Sequence, residues 1–249
     1  MTVGLIGFGR FGRLVARFLA PRVKVLVHDA RSIHPGPASK NVEIKSLRTV
    51  AAQKLVVLAV PISVLESTLL EIRPFVTPGA LILDVCSVKV WPIRWMRRIL
   101  PSSVHILGTH PLFGPESVTR SLRGRKIVLC PVRISKALLT RVSQELRQVG
   151  LEASSMSPAQ HDRMIAETLL LTQYVGRLVH LTGVQKWAGS TLHYGKLMDL
   201  VRVAERDSAE LFRDLWRFNP YAPAMARKLD FARNRIEREL SLPGVSKKA

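Results

Sequence analysis

An α/β fold, a Rossmann-type doubly wound parallel sheet followed by an all-helical domain, is what this 249-residue sequence predicts. Three observations carry the prediction. Apolar strand-like runs alternate with helical stretches through the first half. A turn of the form G-x-G-x-x-G joins the first such run to the first helix. Strand signals then stop at Ser157-Pro158, which places a dinucleotide-binding domain at 1–156 and a helical domain at 157–249.

The strands are read at Val3–Ile6, Val23–His28, Leu55–Val60, Leu81–Val85, Val104–Leu107 and Ile127–Cys130, with helices at Phe11–Leu19, Ser63–Ile72 and Ser135–Val149. In the first turn, Gly7-Phe8-Gly9-Arg10-Phe11-Gly12, Gly7 permits the tight turn and Gly9 lets backbone approach a pyrophosphate. Gly12 lets helix and strand pack closely, and the helix N-terminus adds free N–H groups. Asp29, after the second strand, stands where an acidic residue bonds a ribose 2′-hydroxyl and repels a 2′-phosphate. Arg31 can offset that repulsion or be a solvated loop residue, so NAD is favoured and NADP stays possible.

The third strand ends at Ala59-Val60-Pro61-Ile62, with Val60 and Pro61 at the cofactor crevice. The fourth ends at Asp84-Val85-Cys86-Ser87-Val88-Lys89. Ser87 is either a hydroxyl facing a reactant or the N-cap of the helix that follows. Lys89 either helps to hold an anion or is a solvated first-turn lysine. The fifth strand leads into Gly108-Thr109-His110-Pro111-Leu112-Phe113-Gly114-Pro115-Glu116, where two prolines and a glycine are expected to end it before His110. An imidazole at a strand end, titrating near about pH 6.5, can accept a hydroxyl proton while hydride leaves the same carbon. A histidine bonded to loop backbone is the plainer reading.

Composition narrows the field. A 47% hydrophobic chain can bury one large core or two modest ones. Cys86 and Cys130 lie in apolar runs without metal-ligand spacing, so no metal site and no disulfide framework are expected, and a reducing compartment fits. Met1 leads directly into a strand and no apolar run reaches membrane-spanning length, which predicts a cytoplasmic protein without membrane attachment. The net charge of +20, from 38 Lys+Arg against 18 Asp+Glu, is spread along the chain without an aromatic-interleaved basic stripe. No nucleic-acid partner is therefore expected, although the positive potential attracts small anions such as dicarboxylates or dinucleotides.

Three ordered segments, Gly4 to Gly12, Asp84 to Lys89 and Gly108 to Glu116, resemble the prephenate/arogenate dehydrogenase family of tyrosine biosynthesis. Gln160-His161-Asp162, Tyr174-Val175-Gly176-Arg177 and Arg202 to Asp207 extend the resemblance over nearly the whole chain. It implies an NAD(P)-dependent oxidative decarboxylation that makes 4-hydroxyphenylpyruvate from prephenate, or tyrosine from arogenate. By the same resemblance His110 is the catalytic base and Ser87 lies near the hydroxyl and the nicotinamide. Glu116 then stands at the pocket mouth and Arg202 binds a carboxylate of the dicarboxylate substrate. Glu116 as a loop cap and Arg202 as a surface partner of Asp199 or Glu205 stay open. Gln173 stands where some members carry a histidine, so any bond to substrate there must come from an amide.

In the second half, Met164, Ile165, Leu169, Leu171, Val175, Leu178 and Leu181 give one wide apolar helical face up to about Val184. Helices are expected near Leu192–Ala204, Ala209–Trp216 and Ala222–Leu240. The resemblance implies a substrate and homodimerisation domain here. Trp187, Leu211, Phe212, Trp216 and Phe218 suit either such an interface or an internal core. His161 is read as linking domains rather than as a second base. Another β-hydroxyacid-type dehydrogenase, an imine reductase or a non-catalytic nucleotide-binding protein shares this architecture, because fold alone never fixes substrate.

Overall fold

A computed structural model of the chain describes residues 2–31, 40–118 and 121–241. The basic tail with Lys247-Lys248 lies outside them. The chain divides into two compact units, Met1–His161 and Asp162–Ala249.

The first unit contains β1 (Thr2–Ile6), α1 (Arg10–Leu19), β2 (Lys24–His28), β3 (Val42–Ile44), α2 (Leu47–Ala51), β4 (Leu55–Leu58) and α3 (Ile62–Ile72). It continues with β5 (Leu81–Asp84), α4 (Val90–Ile99), β6 (His105–Pro111), β7 (Arg125–Arg133), α5 (Lys136–Gln148) and β8 (Leu151–Ser155). One sheet runs β3-β2-β1-β4-β5-β6-β7-β8. The first six strands have the Rossmann order, with its switch point between β1 and β4. All neighbours are parallel except β6 and β7, so the chain reverses once and β8 then pairs parallel with β7.

Near-continuous apolar strands are buried because helices cover such a sheet. Val3, Leu5, Val25 and Val27 pack with Ala16 of α1 and with Ala20 just after it, while Leu14 of the same helix joins Leu81, Leu107, Ile127, Leu129 and Leu151.

Short elements absent from the sequence reading include β3, α2 and β8. At three to five residues they are too short for a period to show. A larger correction concerns β6. It continues through His110 and Pro111, with His110 opposite Val128 and Pro111 opposite Ile127. The physical reason is that β5 reaches only to Gly108, so residues 109–111 pair on one side alone, where a proline at the strand end leaves the ladder intact. His110 is therefore held in a strand rather than in a loop.

The second unit is helical. α6 (Pro158–Ile165) crosses the boundary and passes through a π-helical stretch, Ala166–Leu170, into α7 (Leu171–Leu181). α8 (Leu192–Arg206), α9 (Ala209–Phe218) and α10 (Ala222–Ser241) follow. The long apolar run thus folds as three helical pieces instead of one. Thr191 and Ser208 cap α8 and α9 by accepting the amides of Tyr194 and Leu211. A Cβ at Gly176 of α7 would stand 2.6 Å from the Ala204 Cβ of α8, so this glycine lets the two helices touch. Tyr174 stacks on Trp216, ring centroids 5.6 Å apart, and Phe212 lies 6.3 Å from Trp216. These aromatics form one half-buried cluster, whereas Trp187 is 71% exposed. No helix among the described residues is long and apolar enough to cross a membrane.

Candidate active site

The glycine turn leaves β1 at the switch point. Gly7 has φ +94°, in the region that favours glycine, and its amide donates to His28 O at 2.8 Å. A Cβ on Gly7 would run into the Ala59 carbonyl, and one on Gly12 into the Gly7 carbonyl. Gly9 differs: among the described residues an added Cβ would meet only Arg31 Nη2, 3.7 Å away. Space is thus kept in front of the α1 N-terminus, where backbone N–H groups and the helix dipole favour a phosphate.

Asp29 closes this cradle. Its Oδ2 accepts the Phe8 amide at 2.7 Å, and its Oδ1 accepts the Arg31 amide at 3.0 Å and Arg31 Nε at 3.2 Å. Burial raises the Asp29 pKa, but the Arg31 side chain, the two amides and the Arg31 charge outweigh it and hold the carboxyl below its ordinary value. Arg31 pairs with Asp29 while its side chain stays 77% exposed. Val60 and Pro61 join β4 to α3, and Pro61 occupies the N-cap position of that helix.

Arg10, at the start of α1, pairs with Glu116 in the 3₁₀ turn Pro115–Ser117. The two were expected in separate roles, at the cofactor and at the pocket mouth. Here each meets the other, with side chains 58% and 52% exposed.

Ser87 lies between β5 and α4 and is half-buried. It is not the N-cap of α4, because that helix starts at Val90 and the capping position is Lys89. Lys89 fits neither expectation for it. Its side chain is completely buried, pairs with Asp84 and donates to Thr109 O at 2.6 Å. Asp84 Oδ2 also accepts the Cys86 amide at 3.0 Å, and Thr109 Oγ1 donates to Asp84 O at 2.5 Å. The pair thereby ties the turn carrying Ser87 to the residue before His110. A buried charge needs such compensation.

His110 is 5% exposed, and its Nδ1 lies 2.9 Å from Nε2 of the fully buried His161. Its Nε2 makes no hydrogen bond to the described residues. Burial, the neighbouring His161 and the Lys89 charge push its pKa well below the ordinary 6.5. His110 is neutral near pH 7, with one ring nitrogen left to take a proton.

The remaining two candidates lie in the second unit. Gln173 is buried on α7, with Nε2 donating to Asp207 Oδ2 at 2.5 Å, while Oε1 has no partner among the described residues. Arg202 is exposed on α8 and donates to Asp199 Oδ1 at 2.5 Å, which is the surface pairing the sequence left open. Among the described residues no cluster of His, Cys, Asp and Glu suits a metal ion. Cys86 and Cys130 are buried and outside any disulfide. Sequence reasoning missed the Asp84–Lys89 pair and the contact from His161. Local order gives no sign of either, since both depend on strands brought together by the sheet.

Comparison with known proteins decides the family. Residues 22–153 match the prephenate dehydrogenase nucleotide-binding domain. The chain belongs to the prephenate/arogenate dehydrogenase family. Residues 180–243 match a second family domain, the TYRAAT1-like C-terminal domain. Arogenate dehydrogenase 2, chloroplastic, of Arabidopsis thaliana is 31% identical over 251 residues, covering 96% of this chain and 70% of the relative. Arogenate dehydrogenase 1 of the same plant is 28% identical over 96% of this chain, which spans only 39% of that relative. Among solved structures, prephenate dehydrogenase from A. aeolicus in complex with hydroxyphenyl propionate and NAD+ superposes with a TM-score of 0.75. It is 21% identical, and the match covers 97% of this chain and 92% of that one, so this likeness supports the Rossmann fold alone. The first domain match begins after the glycine turn, whose reading rests on its own geometry.

Proposed function

We propose that this protein is an NAD-dependent prephenate dehydrogenase that oxidatively decarboxylates prephenate to 4-hydroxyphenylpyruvate, with residues 1–156 holding the dinucleotide and 157–249 forming the substrate and dimerisation domain. The observation that carries the reading is a buried, neutral His110 fixed through Nδ1, with Nε2 left to accept a proton.

The space kept at Gly9, before the α1 N-terminus, fits a dinucleotide pyrophosphate, and the preset Asp29 carboxylate fits a ribose 2′-hydroxyl. Gly7, Phe8, Gly9, Arg10, Phe11 and Gly12 would hold it with Asp29, Arg31, Val60 and Pro61; Arg31 keeps NADP as a weaker alternative. A bound nicotinamide supplies the hydride acceptor.

The chain's own residues do the remainder. His110 Nε2 takes the proton of the ring hydroxyl as the C–H electron pair leaves that carbon. Loss of the ring carboxylate as carbon dioxide then makes the ring aromatic, so the protein has mainly to orient the substrate and accept one proton. The Asp84–Lys89 pair beside the turn that carries Ser87 supports the reading that its hydroxyl bonds that same substrate hydroxyl. Glu116 gates the pocket mouth through Arg10. Arg202 offers a planar fork to a substrate carboxylate once it exchanges Asp199, and the buried Gln173 offers an amide.

Arogenate is the second reading, favoured by the names of the Arabidopsis relatives. We also read the protein as a homodimer formed through its helical domain, supported by the exposed Leu181, Trp187 and Leu192. A cytoplasmic setting is supported by two buried cysteines outside any disulfide.

The test is a rate assay pairing prephenate or arogenate with NAD or NADP, following the reduced nicotinamide. Turnover with prephenate and NAD is expected. Turnover with arogenate alone moves the substrate to the second reading, and silence in all four pairs overturns the proposal.

A further inference from the structure

The imidazole of His110 touches a second imidazole that no catalytic step requires. His161 is fully buried, and its ring meets that of His110 edge-on, with centroids 5.0 Å apart and planes at 72°. The helix carrying it is fixed at its start. Ser157 Oγ accepts the Gln160 amide at 3.2 Å, while Gln160 Oε1 accepts the Ser157 amide at 3.0 Å. This reciprocal capping box, with Pro158 as first helical residue, sets where α6 begins. The His161 amide then donates to Ser157 O at 2.9 Å, closing the first turn. His161 is thus presented from a set helix start to a histidine held in strand β6.

Two imidazole nitrogens 2.9 Å apart that share one hydrogen leave one nitrogen donating and the other accepting. If His161 Nε2 were the donor, the His110 proton would sit on its own Nε2, and a second proton could arrive only at Nδ1, against the N–H already pointing there. If His110 Nδ1 is the donor, Nε2 is the basic nitrogen. Proton uptake then leaves the shared bond intact and makes its donor cationic, which strengthens it. Only the second arrangement lets His110 accept a proton without breaking the pair.

We infer that His161 is a positioning residue: its Nε2 accepts the Nδ1–H of His110, holds His110 in the Nδ1-protonated tautomer, and so reserves Nε2 for the substrate proton. The inference rests on His110 being the base proposed above. Burial, then His161 and then Lys89 hold the His110 pKa down; Lys89 reaches Thr109 O and pairs with Asp84, and Asp162 follows His161 on α6.

The experiment is ¹⁵N–¹H correlation of the imidazoles in the full chain near neutral pH, with the His110 signals assigned by their loss in His110→Gln. Steady-state kinetics against pH run beside it. Wild type is expected to show His110 protonated at Nδ1. His161→Leu should shift His110 toward the Nε2-protonated form, lower kcat by roughly 10- to 100-fold and move the acidic limb of the kcat/KM profile, with nucleotide Kd unchanged. His161→Gln, whose side-chain oxygen can stand at the Nε2 position and accept the same bond, should restore the tautomer and most of kcat; it also serves if the leucine variant does not fold. An Nε2-protonated His110 in wild type overturns the inference, as does a tautomer and pH profile unmoved in both variants. The tautomer is read without turnover, so an inactive wild type with Nδ1-protonated His110 would sink the substrate reading and leave the positioning role standing.

Discussion

Lys89→Met removes the buried cation opposite Asp84 and leaves the carboxylate in place. Both side chains have no exposure, Asp84 Oδ1 has no partner among the described residues, and Oδ2 keeps only the Cys86 amide once the lysine is gone. A carboxylate stranded in this way costs about 3–5 kcal/mol, and the lost bond to Thr109 O is part of that sum. Removing both charges is far milder: Asp84→Asn with Lys89→Met keeps an acceptor for the Cys86 amide, and about 1–2 kcal/mol of destabilisation is expected. Urea denaturation followed by far-ultraviolet circular dichroism and by fluorescence of Trp91 and Trp95, on the helix that begins after Lys89, measures these two variants and Asp84→Asn alone against wild type. The double-mutant cycle should give a coupling of about 2 kcal/mol or more. A single variant that costs under about 1 kcal/mol, or a double variant as unstable as the single one, would refute a compensated buried pair.

Replacing Asp29 by serine should raise the preference for NADP over NAD by roughly tenfold or more, because Arg31 is released from its carboxylate and a 2′-phosphate no longer meets a negative charge; an unchanged ratio of kcat/KM values would contradict that. Arg202→Ala is expected to raise the Michaelis constant for the substrate by about tenfold or more with the nucleotide constant unaltered, and an unaltered substrate constant would confine Arg202 to its pairing with Asp199. Because His110 titrates below 6.5 in the folded chain, the unfolded chain binds more protons between the two values, so this residue's contribution to stability is complete above about pH 6.5 and is lost as pH falls below it. Urea midpoints measured from pH 5 to 7 should therefore slope less steeply in His110→Gln than in wild type.

Much of the fold was legible because its signals are local. Gly7, Gly9 and Gly12 follow an apolar strand and open a helix, and the structure gives each a steric reason to be glycine or open space to guard. The helices of the second unit were found within two residues at nearly every end, since Gly189, Asp207-Ser208 and Asn219-Pro220 interrupt their apolar period. What could not be read depends on pairing across the chain. The strand through His110 and Pro111 persists because β7 folds back along it, and its antiparallel direction leaves no mark in composition. Lys89 looks like a solvated lysine until Asp84 is brought beside it inside the sheet. Ser157 and Gln160 did carry a local sign, the S-x-x-Q capping box, which fixes the helix start that presents His161.

The central claim is that His110 accepts the substrate proton during dehydrogenation. It is tested most directly by comparing turnover of prephenate and NAD by wild type and His110→Asn, with NAD affinity measured on both proteins. The account predicts a fall in kcat of about two to four orders of magnitude with NAD affinity retained. A variant that turns over at the wild-type rate would contradict it.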